Sequence, residues 1–65
     1  MSDPFTLDEE VTCIAETDKA ILVQVDGENC WVPKGQVHDD SEVYAENHVG
    51  KLVVTAWFAR KVGWL

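Results

Sequence analysis

From Val11 to Glu16 the side chains alternate, with Val11, Cys13 and Ala15 on one side and Thr12, Ile14 and Glu16 on the other. This period of two predicts a strand. Ala20 to Val25 is β-rich, and a tight turn at Thr17-Asp18 would set Ile14 against Ile21 in an antiparallel pair whose two faces are both partly apolar. Asp26-Gly27 signals a hairpin, because both central residues of a type I′ turn need positive φ. Cys30 to Val32 reads as a third strand that Pro33 ends or marks as an edge. Lys34-Gly35-Gln36 reads as a turn, and the polar stretch from Val37 to Tyr44 as a loop or a short edge hairpin. Lys51 to Val54 predicts a buried strand, and Thr55 an N-cap for a short helix from Ala56 to Val62 that Gly63 closes. Phe58 and Val62, four apart, share the helix face expected to dock on the sheet.

These elements predict an α+β fold: a small antiparallel sheet of four or five strands, of a size that suits an SH3-like half-barrel, with one C-terminal α-helix. The 65 residues form a single domain, with residues 1–8 as a loose N-terminal arm. The longest apolar runs, such as Ala20 to Val23, fall far short of the roughly 20 residues that span a bilayer. The opening residues lack a basic region and an apolar stretch, so a cytoplasmic protein is expected. In that compartment Cys13 and Cys30 read as small core hydrophobes rather than as a disulfide.

Charge changes the picture most. Twelve acids against five bases give a net of −7, and all twelve acids precede residue 47. Residues 1–50 carry a net of −10, opposed only by Lys19 and Lys34, whereas Lys51, Arg60 and Lys61 give residues 51–65 a net of +3. Direct nucleic-acid binding is therefore disfavoured. His38, Asp39, Asp40 and His48 cluster without the spacing of a zinc motif, and neither cysteine falls at an electropositive helix start. The reading is of a monomer that is not an enzyme, with no catalytic residue, cofactor or metal and little room for a pocket.

The acids have a pattern of their own. Asp8/Glu10, Glu16/Asp18, Asp26/Glu28 and Asp40/Glu42 are i, i+2 pairs, which in extended chain stand roughly 6.6 to 6.8 Å apart on one face. Carboxylates so placed can imitate the phosphates of a nucleic-acid strand; the competing reading is that they are solvated residues flanking turns. Asp8, Glu10, Asp26, Glu28, Asp39, Asp40, Glu42 and Glu46 are the candidate partner-binding residues. Asp39, Asp40 and Glu42 lie in the most polar stretch, where reversal to Lys is expected to spare the fold. Trp31 is expected to be inward or half-buried, whereas Trp57 and Trp64 flank the basic helix and offer a second reading, an adaptor or assembly module anchored through that helix face.

The segments W-V-P-K-G-Q-V-H-D-D-S-E-V (Trp31 to Val43) and G-K-L-V-V-T-A-W-F-A-R-K-V-G (Gly50 to Gly63) resemble very small proteins of phages, prophages and mobile elements. In size, acidity and β-rich outline with one helix, the chain is similar to phage-encoded anti-CRISPR proteins that act as DNA mimics, most nearly an inhibitor of type I-C systems. The resemblance implies a partner: the subunit of a type I effector complex that recognises the protospacer-adjacent motif, met in the bacterial host cytoplasm. It assigns no individual contact residue.

Overall fold

The computed structural model describes residues 4–65; residues 1–3 of the predicted arm lie outside them. The chain runs β1 (Pro4–Thr6), β2 (Val11–Glu16), β3 (Ala20–Val25), β4 (Glu28–Pro33), a 3-10 turn (Lys34–Gln36), β5 (Val49–Gly50), β6 (Val53–Thr55) and α1 (Ala56–Val62). The fold is α+β, with two antiparallel sheets: four strands in the order β4-β3-β2-β5, and two in the order β1-β6. A single bridge between Val37 and Val54 ties the segment after the 3-10 turn to β6. No helix among the described residues is long and apolar enough to cross a membrane.

Residues 4–8 correct the expectation of a loose arm. Phe5 lies opposite Val54 in the β1–β6 pair, and the next residue but one, Leu7, is buried and donates its N–H to the Leu52 carbonyl at 3.0 Å. A polar-looking terminus is held because β6 would otherwise leave one edge of its backbone unpaired.

The first hairpin keeps its strands but changes register. Thr17 and Ala20 close the turn through Thr17 N–H to Ala20 O at 2.8 Å, so Asp18 and Lys19 are its central residues and Glu16 stands opposite Ile21. Between Cys13 and Ala15 the ladder shifts by one residue, so Ile14 does not face Ile21 as predicted. It is the extra residue of a β-bulge, and it is exposed. The second hairpin follows its sequence signal: Asp26 and Gly27 have φ of 53° and 81°, the positive pair that a type I′ turn requires.

Period-two alternation buries Val11, Cys13, Ile21, Val23, Val25 and Val32 on the inner face. With Leu7, Val43, Leu52, Val54, Phe58 and Ala59 they form the core. Cys13 and Cys30 both flank Val23, one on each neighbouring strand, and both thiols are free. Two strand spacings part them by about 9.5 Å, beyond the roughly 7 Å that a disulfide bridges. Burial pushes both thiols above their ordinary value, most simply by penalising the thiolate.

The helix starts and stops where the sequence says. The Thr55 hydroxyl accepts from Phe58 N–H at 3.2 Å, and Gly63 ends the helix in the left-handed region. Trp64 N–H then bonds the Ala59 carbonyl at 2.8 Å and Gly63 N–H the Arg60 carbonyl at 3.3 Å, a Schellman closure. That closure folds Trp64 back onto Phe58, ring centroids 5.8 Å apart and edge to face. Val62, expected to share the docking face with Phe58, is 37% exposed, and it is Trp64 rather than Val62 that packs against the core beside Phe58.

The segment from Val37 to Tyr44 is a loop that one hydroxyl secures. Buried Ser41 donates to the Val43 carbonyl at 2.8 Å and accepts from the N–H groups of Val43 at 3.2 Å and Val53 at 3.1 Å. Ser41→Ala leaves two buried N–H groups without an acceptor and is expected to lower unfolding free energy by about 1–3 kcal/mol in urea titration. Gly27→Val is expected to cost at least about 1–2 kcal/mol, while Gly35→Ala, which meets open space, stays within about 0.5 kcal/mol of the parent.

Candidate functional site: acids around an uncharged sheet face

The strand ladders sort the acids into groups that chain order does not reveal. At one end of the four-stranded sheet, Glu10 and Asp26 each stand two residues beyond the Thr12–Gln24 pair, and Glu28 lies opposite Val25 across the type I′ turn. Asp8 sits in the bend that leads to Glu10, and all four carboxylates are exposed. Gly50 pairs with Val11, so the same antiparallel register continued by one residue brings Lys51 opposite Glu10. None of these acids pairs with a lysine or arginine; the Lys34–Glu16 bridge is the one such pair among the described residues.

That bridge anchors the opposite end. Lys34 Nζ and Glu16 Oε2 are 2.6 Å apart, and Glu16 Oε1 accepts from Glu46 N–H at 3.2 Å. The Lys34 ammonium first, and the Glu46 N–H second, hold the Glu16 carboxyl below its usual range. Glu46, a candidate from sequence, is thereby placed beside Glu16, which was not nominated. An open cleft of about 620 Å³ lies here, lined by Glu16, Lys34, Val37, His38, Asp39, Tyr44 and Ala45. The fold thus has more concave surface than its length suggests.

The loop acids divide between exposure and structure. Asp39 and Asp40 are exposed, with Asp39 on the cleft wall and Asp40 donating its N–H to His38 Nδ1 at 3.1 Å. Glu42 does a structural job: its Oε1 accepts from Lys51 N–H at 2.9 Å, and a Cβ on Gly50 would come within 2.6 Å of that oxygen. Reversal of Glu42 to Lys removes this acceptor from an exposed N–H that water reaches.

No i, i+2 acid pair has both members in one strand, so the phosphate-like spacing of extended chain does not arise locally. Asp26 and Glu28 straddle the turn glycine, Glu16 and Asp18 the end of β2, and the other two pairs lie in bends and turns. Any resemblance to a phosphate array comes from tertiary grouping.

Between the two ends lies the outer face of the same sheet. The register aligns Ala15, Leu22 and Trp31 across three strands, and beside them Thr12, Gln24, Asn29 and Val49. Trp31, expected to be inward or half-buried, is 51% exposed, because the residue that alternates inward is Val32. The signal for this face was the apolar Leu22 between Ile21 and Val23, too many hydrophobes for one buried side.

On the helix, Trp57 is exposed with Lys61 Nζ 5.1 Å from its ring centroid, whereas Trp64 is committed to the core through Phe58. Both histidines use Nδ1 as an acceptor for loop N–H groups, His48 from Tyr44 at 3.3 Å, and no group of three potential metal ligands converges among the described residues.

Because Glu16 has a lower pKa folded than unfolded, its stabilising contribution is complete above the ordinary value of 4.5 and is lost as pH falls through the lowered folded value. Glu16→Gln is expected to unfold at lower urea concentration than the parent near pH 7 and to match it near pH 2.

No family model matches the chain, and neither a curated protein nor a solved structure shows a match.

Proposed function

We propose that this protein is a stoichiometric inhibitor that presents its carboxylates to the basic nucleic-acid-binding surface of a protein partner in the bacterial cytoplasm. The observation that carries the reading is the grouping of Glu10, Asp26 and Glu28, with Asp8 close in sequence, at one end of the sheet without a Lys or Arg partner. Unpaired, exposed acids cost a small fold self-repulsion, and a basic groove removes that cost on binding. Long-range attraction speeds encounter, and close Arg–carboxylate hydrogen bonds, some bidentate, hold the complex.

The reading is of a monomer that binds neither nucleic acid nor membrane and needs no cofactor. The sequence resemblance makes the motif-recognising subunit of a type I-C effector complex the first partner to test. The adaptor reading through Trp57 and Trp64 loses one of its two anchors, since Trp64 is packed on Phe58.

Purified type I-C effector complex and labelled duplex carrying the protospacer-adjacent motif provide the test. The parent is expected to displace the duplex at near-equimolar ratio and to leave free duplex unshifted. Reversal of Glu10, Asp26 and Glu28 to Lys moves the net charge from −7 to −1 and is expected to weaken displacement by about a hundredfold or more, corresponding to loss of a few close charge pairs. Displacement that is equal for parent and variant from low to high salt would sink the proposal.

A further inference from the structure

We infer that the outer face of the four-stranded sheet, centred on Trp31 with Ile14, Ala15, Leu22 and Val49, is the apolar centre of an interface for a basic protein surface that presents an apolar side chain between arginines or lysines. The inference rests on the acidic-inhibitor reading for the class of partner and adds where that partner is held.

Three observations converge on this face. Ala15, Leu22 and Trp31 stand in one row across β2, β3 and β4, and the bulge puts Ile14 opposite Leu22 as well. Trp31, Ile14 and Val49 are 51%, 42% and 53% exposed, and α1 and β6 contribute to the core on the opposite side, so nothing in the fold covers them. No outward-facing position of this sheet carries a charge, although twelve of the 65 residues are acidic.

Charge complementarity selects the occupant. Continuing the period of two, Glu10 precedes the outward Thr12 and Asp26 follows the outward Gln24, so acids border the face at this end. At the other, Asp18 shares its turn with Lys19 and Glu46 lies beside the Lys34–Glu16 bridge, which leaves the uncompensated acidic edge on the Glu10–Asp26 side. An apolar centre inside a charged rim is the usual anatomy of a protein interface, and a tryptophan near its middle is the commonest energetic anchor. A second copy of this chain would set acid rim against acid rim at −7 each, and nucleic acid is opposed for the same reason.

Two synthetic arginine-rich peptides of equal charge test the inference against 15N-labelled protein, one with tryptophan and leucine between its arginines and one with serine there. The apolar peptide is expected to shift the Trp31 indole N–H and the amides of Leu22 and Ile14, and to lose about tenfold in affinity on Trp31→Ala. Trp31→Tyr is expected to retain most of the binding, and the serine peptide to bind more weakly than the apolar one and equally to parent and variants. Equal binding of both peptides with Trp31 silent overturns the sheet face while leaving the acidic reading standing. Shifts confined to Trp57 and Leu65 overturn it in favour of the helix, and a parent dimer in sedimentation equilibrium that Trp31→Ala dissociates overturns it in favour of a second copy. Failure of the acidic reading shows separately, as an apolar-peptide affinity unmoved by reversing Glu10, Asp26 and Glu28.

Discussion

One burial event supports the rest of this molecule: the inner face of a four-stranded sheet closing over β6 and α1. Val11, Ile21, Val23 and Val32 on one side, and Leu52, Val54, Phe58 and Ala59 on the other, are almost wholly removed from water. At about 25 cal/mol per Å² of apolar surface, this is the term that opposes chain entropy and the mutual repulsion of a −7 body. The acids are tolerated because the core asks nothing of them. Those among the described residues occupy turns, bends and strand ends, outside the alternating positions that carry the burial.

The long loop between the 3-10 turn and β5 obeys a different constraint. It has almost no ladder of its own: His38, Ser41, Glu42, Asn47 and His48 donate to scattered backbone carbonyls, and side chains serve as acceptors for others in the loop and beside it. His38 serves Asp40, Ser41 serves Val43 and Val53, Glu42 serves Lys51, His48 serves Tyr44, and Glu16 reaches across to Glu46. A stretch that looks merely polar in sequence is thus a set of acceptors. Among the described acids, Glu16 and Glu42 are tied to the fold as acceptors of backbone N–H groups. This division matters for function, because only acids without such a task are free to meet a partner.

Charge and apolar surface then form one pattern. An uncharged outer face borders one acidic end, and the helix bearing Arg60 and Lys61 packs beside β6 and β1 under the opposite, inner face of that sheet. The acidic-then-basic order along the chain is only partly kept in space, since Lys51 falls beside Glu10 and Lys34 bridges Glu16. Electrostatic attraction alone is non-directional and salt-sensitive, whereas a tryptophan-centred face supplies shape and a contact that salt does not screen.

The sequence by itself determined the features that act over a few residues. Alternation placed β2 and β-rich composition β3, Asp26-Gly27 demanded a turn that only positive φ accommodates, and Thr55 and Gly63 bounded the helix through hydrogen bonds to their own neighbours. The α+β class follows from those signals. Only the tertiary structure decided which face each residue takes and which distant residues meet. A one-residue bulge at Ile14 reset the register, the pairing of β1 with β6 ordered residues 4–6, and the Schellman closure drew Trp64 inward while β4 turned Trp31 outward. The acids were visible one by one, but their grouping was not. Neighbourhood across strands depends on register, and register is set by how the whole inner face fits its cover rather than by any local propensity.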